Sequence, residues 1–308
     1  MALTKILIIP PTPRTSGQLA NRIGLFAHFL AFAIERNFYL LNMNIFPYGK
    51  YFISTNAGLC ATYPFNFMYI PANKITKKLM HSFPGFISRF PYVNTIKAQL
   101  KGGEMQEEDI FQLTGQETSQ LLDKSWMLIC KGWRFRCYDL VSKHQDKIRD
   151  FFEPQSAALD YAKSFMEKVN DRGNIKVGVH MRWGDFRGFY GGKYFYTIDQ
   201  YKNLMHKFNE IFPENNTVFI IFCNEPVSDK EFDGLDVVIS GGNEIEDLTA
   251  MADCDYIIGP PSSYSGWASF YGKVPLYMVR NTDTDFTVDD FRIYLPLELH
   301  GIGIYNGE

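Results

Sequence analysis

The sequence predicts an α/β protein with doubly wound parallel sheets in two domains. Three observations support this fold class. The chain has 308 residues, which is enough for two domains of about 150 residues each. Residues 5–43 follow a strand–helix–strand pattern. From Lys176 to Val279, short apolar runs alternate regularly with amphipathic stretches, as expected when helices cover both faces of a parallel sheet.

The first domain is expected over residues 1–160. Lys5–Ile9 is an apolar run that predicts a strand, and a loop rich in Pro, Thr, Ser and Gly follows it. Leu19–Asn37 then predicts a long apolar helix, and Tyr39–Met43 a second strand. Residues 45–125 show weak periodicity and are expected to be irregular, with short helices.

The remaining elements lead into a second domain, expected over residues 161–308. Runs of β-branched and aromatic residues predict its strands, and amphipathic periodicity predicts its helices. The further predicted strands are Trp126–Lys131, Lys176–Met181, Thr217–Cys223, Val237–Ser240, Asp255–Gly259 and Val274–Val279. The further predicted helices are Tyr138–Phe152, Ser156–Asn170, Ile198–Phe212, Glu244–Ala252 and Ser262–Tyr271.

Composition excludes several classes of protein. A net charge of −3 argues against a general nucleic-acid binder. Five scattered cysteines without a CxxC spacing indicate a reducing compartment, not a disulfide framework or a zinc site. No signal peptide is predicted, because the apolar run at the start is short and ends at two prolines. No membrane-spanning segment is predicted either, because the most apolar helical stretch, Ile23–Leu41, carries charged residues. A cytoplasmic protein is therefore expected.

The segment GVHMRWGDF, residues 178–186, is the first candidate site. Its apolar strand delivers His180, Arg182 and Asp185 to the carboxyl end, where open α/β sheets bind ligands. A fixed guanidinium at Arg182 could stabilise the charge that grows on a departing phosphate, without a metal. Alternatively, Arg182 pairs with Asp185 for structural reasons.

The segment EDLTAMADCDYIIGPPSSYSGWASFYGK, residues 246–273, is the second. Ser262, Ser263 and Ser265 follow a predicted strand where a helix begins. Hydroxyls and free backbone N–H groups at a helix N-terminus suit a diphosphate. The simpler alternative is that one of these serines only caps the helix.

Four segments together resemble the α-1,2-fucosyltransferase family. HMRWGD is similar to the family's His-x-Arg-Arg-Gly-Asp motif. The segment that begins at Glu246 is similar to the family's later motif, which ends in Ser-Ser-Phe-Ser-Trp-Trp-Ala. GQLANRIGLFAHFLAFA, from Gly17, resembles its N-terminal Gly-Arg-Leu-Gly-Asn-Gln-Met-Phe-Gln, and GWRFRCYDLVSKHQDKIRDFF, from Gly132, its middle segment. The four occur in the family's order between about residues 17 and 271, and residues 45–125 lie outside the resemblance.

The resemblance implies a GT-B fold of two Rossmann-like domains facing each other across a cleft. It also implies GDP-fucose as the donor substrate, inversion at the anomeric carbon, and neither a cofactor nor a catalytic metal. The residues that match the family's functional positions are Arg182 (phosphate), His180 (donor), the serines Ser262, Ser263 and Ser265 (nucleotide), Asp247 (helix aspartate) and Asn21 (sugar). A glycan acceptor follows, on the side of the N-terminal domain.

Some positions depart from the family and leave alternatives open. Trp183 replaces the second arginine of the motif, and Gly266 replaces the first tryptophan of the later one. Lys193, in a Gly/aromatic loop, is a candidate for the missing charge. Asp185 is the nearest candidate for a general base. The alternatives are a transferase using another nucleotide sugar and an inactive protein that binds glycan or nucleotide.

Other site patterns carry less weight. Asp253-Cys254-Asp255 has the spacing of an Asp-x-Asp metal motif but lies at a predicted helix-to-strand turn. No GxGxxG follows the first strand, and GxxxxGK[ST], HExxH and GxSxG are absent. The expected partners are a nucleotide sugar and a glycan acceptor, with no nucleic acid. Peripheral contact with a lipid-linked acceptor at the inner membrane surface is compatible with these partners.

Overall fold

In a computed structural model, the structure of the protein is described for residues 5–11, 17–55, 58–64, 68–98 and 110–298. Within these residues the chain divides into two compact units. The first takes the chain up to Gln155 together with Leu295–Leu297, and the second takes Ser156–Tyr294 and Glu298. None of the helices in these ranges is both long and apolar enough to cross a membrane.

The first unit is built on a five-stranded sheet of order β3-β2-β1-β6-β4, in which only β3 is antiparallel to its neighbour. The strands of this unit are β1 Ile6–Ile9, β2 Tyr39–Asn42, β3 Ala61–Tyr63, β4 Val93–Ala98, β5 Phe111–Gln112, β6 Met127–Gly132 and β7 Phe135–Arg136. The helices are α1 Leu19–Arg36, α2 Lys74–Ile87, α3 Gln116–Asp123, α4 Tyr138–Lys143 and α5 Gln145–Phe151.

Helix α1 is the central helix of the first unit. Fourteen of its residues are buried, so it is apolar on nearly every side, which explains why its sequence is so hydrophobic. It ends at Asn37, whose backbone is left-handed (φ 52°, ψ 49°) and whose N–H bonds the Ala33 and Ile34 carbonyls. The predicted helix Leu19–Asn37 is therefore confirmed, with Asn37 as its cap.

Two sequence expectations are wrong in this unit. Residues 45–125 are not mainly irregular, because they contain the 14-residue helix α2 and the edge strand β4. The predicted helix Tyr138–Phe152 is two helices, α4 and α5, separated at His144. The imidazole of His144 bonds the Glu35 carboxylate of α1 (Nε2 to Oε2, 2.7 Å), so a tertiary contact holds the break.

The second unit has a five-stranded, fully parallel sheet of order β10-β9-β8-β11-β12. Its strands are β8 Ile175–Met181, β9 Thr217–Cys223, β10 Val237–Ile239, β11 Tyr256–Gly259 and β12 Leu276–Met278. Its helices are α6 Ser156–Asn170, α7 Ile198–Ile211, α8 Glu244–Met251 and α9 Ser263–Gly272. Each agrees with its predicted counterpart to within two residues at either end.

Strand order in the second unit predicts where a ligand would bind. The chain adds β9 and β10 on one side of β8, then crosses to add β11 and β12 on the other side. The order therefore reverses between β8 and β11. Open α/β sheets bind ligands at the carboxyl ends of the strands beside such a reversal. His180 is the last residue but one of β8, and Gly259 ends β11.

Candidate functional site

The end of β8 places His180 against the end of β11. His180 is 4% exposed, and a Cβ added to Gly259 would lie 2.9 Å from its Cβ. The Tyr201 hydroxyl of α7 donates to the His180 carbonyl at 3.2 Å. Glycine at position 259 therefore leaves the space that the imidazole needs at the point where the strand order reverses.

The imidazole of His180 is neutral. Burial, followed by the charge of Arg182, lowers its pKa to about 3. Its Nδ1 is buried and has no hydrogen-bond partner among the residues that the structure describes. Buried polar atoms in folded proteins normally have a hydrogen-bond partner. A ring nitrogen that lacks one at the carboxyl edge of a sheet is therefore suited to bind a ligand.

Arg182 and Asp185 form an ion pair. The Arg182 Nη2 lies 2.9 Å from Asp185 Oδ1 and 3.1 Å from Oδ2. The Arg182 side chain is 18% exposed and that of Asp185 is 58% exposed. The ion pair between Arg182 and Asp185, the structural alternative to phosphate binding, is thus present. Because the Asp185 carboxylate is exposed to solvent, an arriving phosphate could share or replace it at modest cost.

The loop after β8 is held by two residues that follow β9. The Trp183 N–H donates to Asn224 Oδ1 at 2.7 Å, and the Gly184 N–H donates to Glu225 Oε1 at 2.9 Å. Arg187 completes the attachment with two bonds to the Glu225 carboxylate, at 2.5 and 2.8 Å. The pKa of Glu225 is lowered mainly by Arg187. These bonds fix the backbone that presents Arg182.

Trp183 supports the loop instead of adding a charge. Its indole N–H donates to the Tyr196 carbonyl at 2.8 Å. The nearby guanidinium of Arg187 is engaged by Glu225. Lys193, the candidate for the missing charge, has its ammonium 5.4 Å from the centre of the Tyr194 ring.

The three serines have different environments. Ser262 is the N-cap of α9, where its Oγ accepts from the Tyr264 N–H at 3.3 Å. Ser265 is fully buried, and its hydroxyl donates to the Ser262 carbonyl at 3.3 Å. Ser263, in the first turn of α9, is half-buried. Capping and helix packing therefore account for two of the three hydroxyls, while the helix N-terminus itself follows the end of β11 directly.

Asp247 lies near this helix start. Burial raises its pKa to about 6, although the Ser240 hydroxyl, which donates to Oδ1 at 2.5 Å, acts in the opposite direction. Tyr264 connects Asp247 with the end of β8. Its ring centre lies 5.2 Å from that of His180. Burial and the Asp247 carboxylate raise the pKa of Tyr264, whereas Arg182 lowers it.

The structure therefore brings most of the predicted site residues to one edge of the second unit. His180, Arg182, Asp185, Asp247 and the serines of α9 lie at or beside the carboxyl ends of β8, β10 and β11. Asn21, in contrast, lies in the first turn of α1 in the first unit.

Sequence reasoning missed four residues of this site. Tyr264 contacts His180, Tyr201 holds the β8 backbone, and Asn224 and Glu225 anchor the loop. The signal that could have found the last two is their position directly after strand β9, at the same edge as Arg182. The tyrosines sit in helices and show no such pattern.

The Asp-x-Asp pattern lies at the other end of the sheet. Asp255 precedes β11 and accepts from the Lys176 N–H at 2.8 Å, near the start of β8. Arg182 follows the opposite end of that strand. Over the part of the chain that the structure describes, no group of three or more His, Cys, Asp or Glu residues could hold a metal ion.

Comparisons with known proteins show the fold. No family model and no curated protein sequence matches the chain. Among solved structures, a single-substitution variant of FUT1 from Arabidopsis thaliana in complex with GDP matches with a TM-score of 0.58 and 11% identity, over 94% of this chain and 74% of FUT1. The NodZ α-1,6-fucosyltransferase of Bradyrhizobium, soaked with GDP-fucose, matches with a TM-score of 0.50 and 15% identity, over 89% and 94%. The chain has the GT-B fold of these enzymes, with two Rossmann-like domains, as the sequence predicts.

Proposed function

We propose that this protein is a glycosyltransferase that moves fucose from GDP-fucose to a hydroxyl of a glycan, with inversion and without a metal. One observation carries the proposal. A neutral, buried His180 with an open ring nitrogen and a partly exposed Arg182 end one strand, beside the N-terminus of α9, where the strand order reverses. The fold shared with FUT1, solved in complex with GDP, and with NodZ, soaked with GDP-fucose, supports the choice of donor.

In this proposal Arg182 stabilises the leaving group. Cleavage of the bond between sugar and diphosphate leaves negative charge on a phosphate oxygen, and a guanidinium can bond two oxygens at once. The N-terminus of α9 adds backbone N–H groups and the positive end of a helix dipole. Ser263 is the serine whose hydroxyl is best placed to contact the diphosphate, because Ser262 and Ser265 already have partners.

His180 and Asp247 would position the donor. A neutral imidazole can give or accept a hydrogen bond without adding charge, so His180 would orient the sugar diphosphate through Nδ1. Asp247, once ionised, could accept bonds from hydroxyls of the nucleotide. We assign donor binding to residues 161–308, and acceptor binding, with Asn21 facing the sugar, to residues 1–160.

Asp185 is the proposed general base. Attack of an acceptor hydroxyl on the face of the anomeric carbon opposite the diphosphate inverts that carbon and requires a nearby proton acceptor. In the resting state the Asp185 carboxylate is bound to Arg182. A phosphate that takes over the guanidinium would release the carboxylate for this role.

Calorimetry with GDP, UDP and ADP, followed by fucosyl transfer to a glycan panel, tests the proposal. We expect preference for GDP and a loss of transfer of about 10²–10³-fold in Arg182→Ala. Arg172→Ala is the matched control, because Arg172 pairs with Asp236 on the surface, before the other end of β8. Normal transfer by Arg182→Ala would refute the mechanism, and preference for UDP or ADP would replace fucose by another sugar.

A second candidate is an inactive protein that binds a nucleotide or glycan. The observation behind it is Trp183, which occupies the position of the family's second arginine and is tied to Tyr196. Tight GDP binding without donor hydrolysis or transfer would support this candidate. Transfer restored or increased by Trp183→Arg would show that the missing cation limits the activity.

A further inference from the structure

Helix α2, in the first unit, exposes a continuous stripe of large apolar side chains. Ile75 is 72% exposed, Leu79 60%, Phe83 38% and Phe86 60%. At 3.6 residues per turn, these four positions fall within an arc of about 80° on the helix surface. We call them the α2 stripe. A stripe of this kind normally faces a core, so its exposure here requires an explanation.

The α2 stripe is not what attaches the helix to the protein. Met80 and Pro84 are buried on the adjacent face, and Met80 and Ile87 pack with the core cluster beside the sheet. Asn73 caps the helix start through two bonds from backbone N–H groups to its Oδ1, at 2.9 and 3.0 Å. The stripe can therefore serve another contact without loosening the helix.

The apolar surface continues past the end of α2. The ring of Phe90, 50% exposed, lies 5.5 Å from that of Phe86. Tyr92 is 73% exposed, and Trp126, 39% exposed, donates from its indole N–H to the Pro91 carbonyl at 3.3 Å. Exposed Trp and Tyr beside an amphipathic helix are typical of segments that lie at a membrane–water boundary.

The charge of this region is strongly positive. Residues 1–103 contain eleven Lys and Arg but a single acidic residue, Glu35, although the whole chain has a net charge of −3. On α2, Lys74, Lys77 and Lys78 are exposed, and none of them forms an ion pair with a residue in the described ranges. The Lys77 ammonium lies 5.0 Å from the centre of the Phe46 ring, whereas Lys74 and Lys78 remain available to an external anionic surface.

We propose that α2 lies in the headgroup region of an anionic membrane, with the α2 stripe inserted and the lysines on phosphate oxygens. An exposed apolar arc with two exposed lysines, Lys74 and Lys78, along one border is the arrangement of interfacial helices. A nucleic acid would leave the aliphatic side chains exposed to water. A second copy of this chain that met the same face would bring its own lysines against these. The proposal is independent of the sugar-transfer activity, because it uses none of the residues placed in the donor or acceptor site.

Co-sedimentation of the full-length protein with lipid vesicles tests this inference. We expect the protein to bind vesicles containing about one-third phosphatidylglycerol much more tightly than vesicles of phosphatidylcholine alone. Added salt should weaken the binding, since surface charge interactions are screened. Fluorescence of Trp126, which is more exposed than the other three tryptophans, should be quenched by brominated acyl chains.

Two double variants separate the apolar and the ionic parts. Leu79→Ser with Phe86→Ser should lower the partition coefficient by at least tenfold, while both substitutions leave the buried face of α2 intact. Lys74→Glu with Lys78→Glu should lower it by about fivefold or more for each charge removed, on anionic vesicles only. The matched controls are Leu159→Ser and Lys163→Glu, which change exposed residues of α6.

The outcomes are distinguishable. Far-ultraviolet circular dichroism and the unfolding midpoint establish that each variant folds. Absence of binding to anionic vesicles, or binding that none of the α2 variants weakens, would overturn the proposal. A dimer in vesicle-free solution that becomes monomeric on Leu79→Ser with Phe86→Ser would also overturn it, since the stripe would then belong to a second copy. Loss of GDP binding alone would leave it standing.

Discussion

Substitution of Gly259 by alanine should weaken donor binding without touching the ligand. The added methyl would lie 2.9 Å from His180 Cβ and 3.3 Å from the His180 carbonyl oxygen, whereas ordinary contacts begin at 3.4 Å. His180 must therefore move by about 0.5 Å within a packed sheet. Overpacking of this kind costs about 1–3 kcal/mol of folding free energy. A displacement of this size at a binding residue should lower GDP affinity by about tenfold.

Denaturant unfolding and GDP calorimetry measure the two effects separately. Gly178→Ala is the matched control, because Gly178 lies on the same strand as His180 but its added methyl would meet only side-chain atoms, the nearest being Cys254 Sγ at 3.2 Å. We expect this control to lose less than about 1 kcal/mol and to keep its GDP affinity. If Gly259→Ala loses stability but binds GDP like the unaltered protein, His180 does not position the donor.

Three further predictions concern charge and loop attachment. The folded-state pKa of Asp247 is raised to about 6, so its ionisation destabilises the folded state as pH rises from about 4 to 6. Asp247→Asn should therefore be more stable than the unaltered protein at pH 8 and should lose that advantage near pH 4, as chemical unfolding would reveal. It should also bind GDP less tightly, which calorimetry at both pH values would measure. Glu225→Gln leaves Arg187 without its ion pair and weakens the bond from Gly184, so we expect lower GDP affinity with little change in the unfolding midpoint; an unchanged affinity would count against a positioning role. Burial holds the pKa of His28 well below 6.5, so below that pH the unfolded state gains a proton that the folded state does not. Relative to His28→Gln, the unaltered protein should then lose about 1.4 kcal/mol of unfolding free energy per pH unit. Parallel curves of unfolding free energy against pH for the two proteins would refute this.

Local patterns predicted the fold of the second unit well. Strands β8, β9 and β11 are short apolar runs with β-branched residues, and β8 and β11 each lead through a loop into a helix. Because sequence order and spatial order are linked in doubly wound sheets, this pattern also predicted that Arg182 and the start of α9 would meet at one edge.

The failures have a different cause. Helix α2 has an apolar face that points to solvent as well as one that packs on the protein. Its apolar residues therefore cover more of the helix surface than in a helix packed on one side. For this reason, residues 45–125 were expected to be irregular. The break at His144 depends on Glu35, more than one hundred residues earlier in the chain. Pairing of Arg182 with Asp185 was foreseen as an alternative. The bonds that Asn224 and Glu225 accept join separate strands, so their sequence signal is limited to the position of these two residues directly after β9.

The short return of the chain, Leu295–Leu297, limits how this protein can be dissected. These residues belong to the first unit although they come after Ser156–Tyr294 of the second. The Pro296 carbonyl receives the Nε2–H of His28 at 2.9 Å, and the Leu297 carbonyl accepts from the Tyr138 hydroxyl at 3.1 Å. A fragment ending at Gln155 would leave that histidine open to water and protonation. Expression of the amino-terminal half as an independent domain therefore needs this tripeptide grafted back, or a redesigned surface around α1.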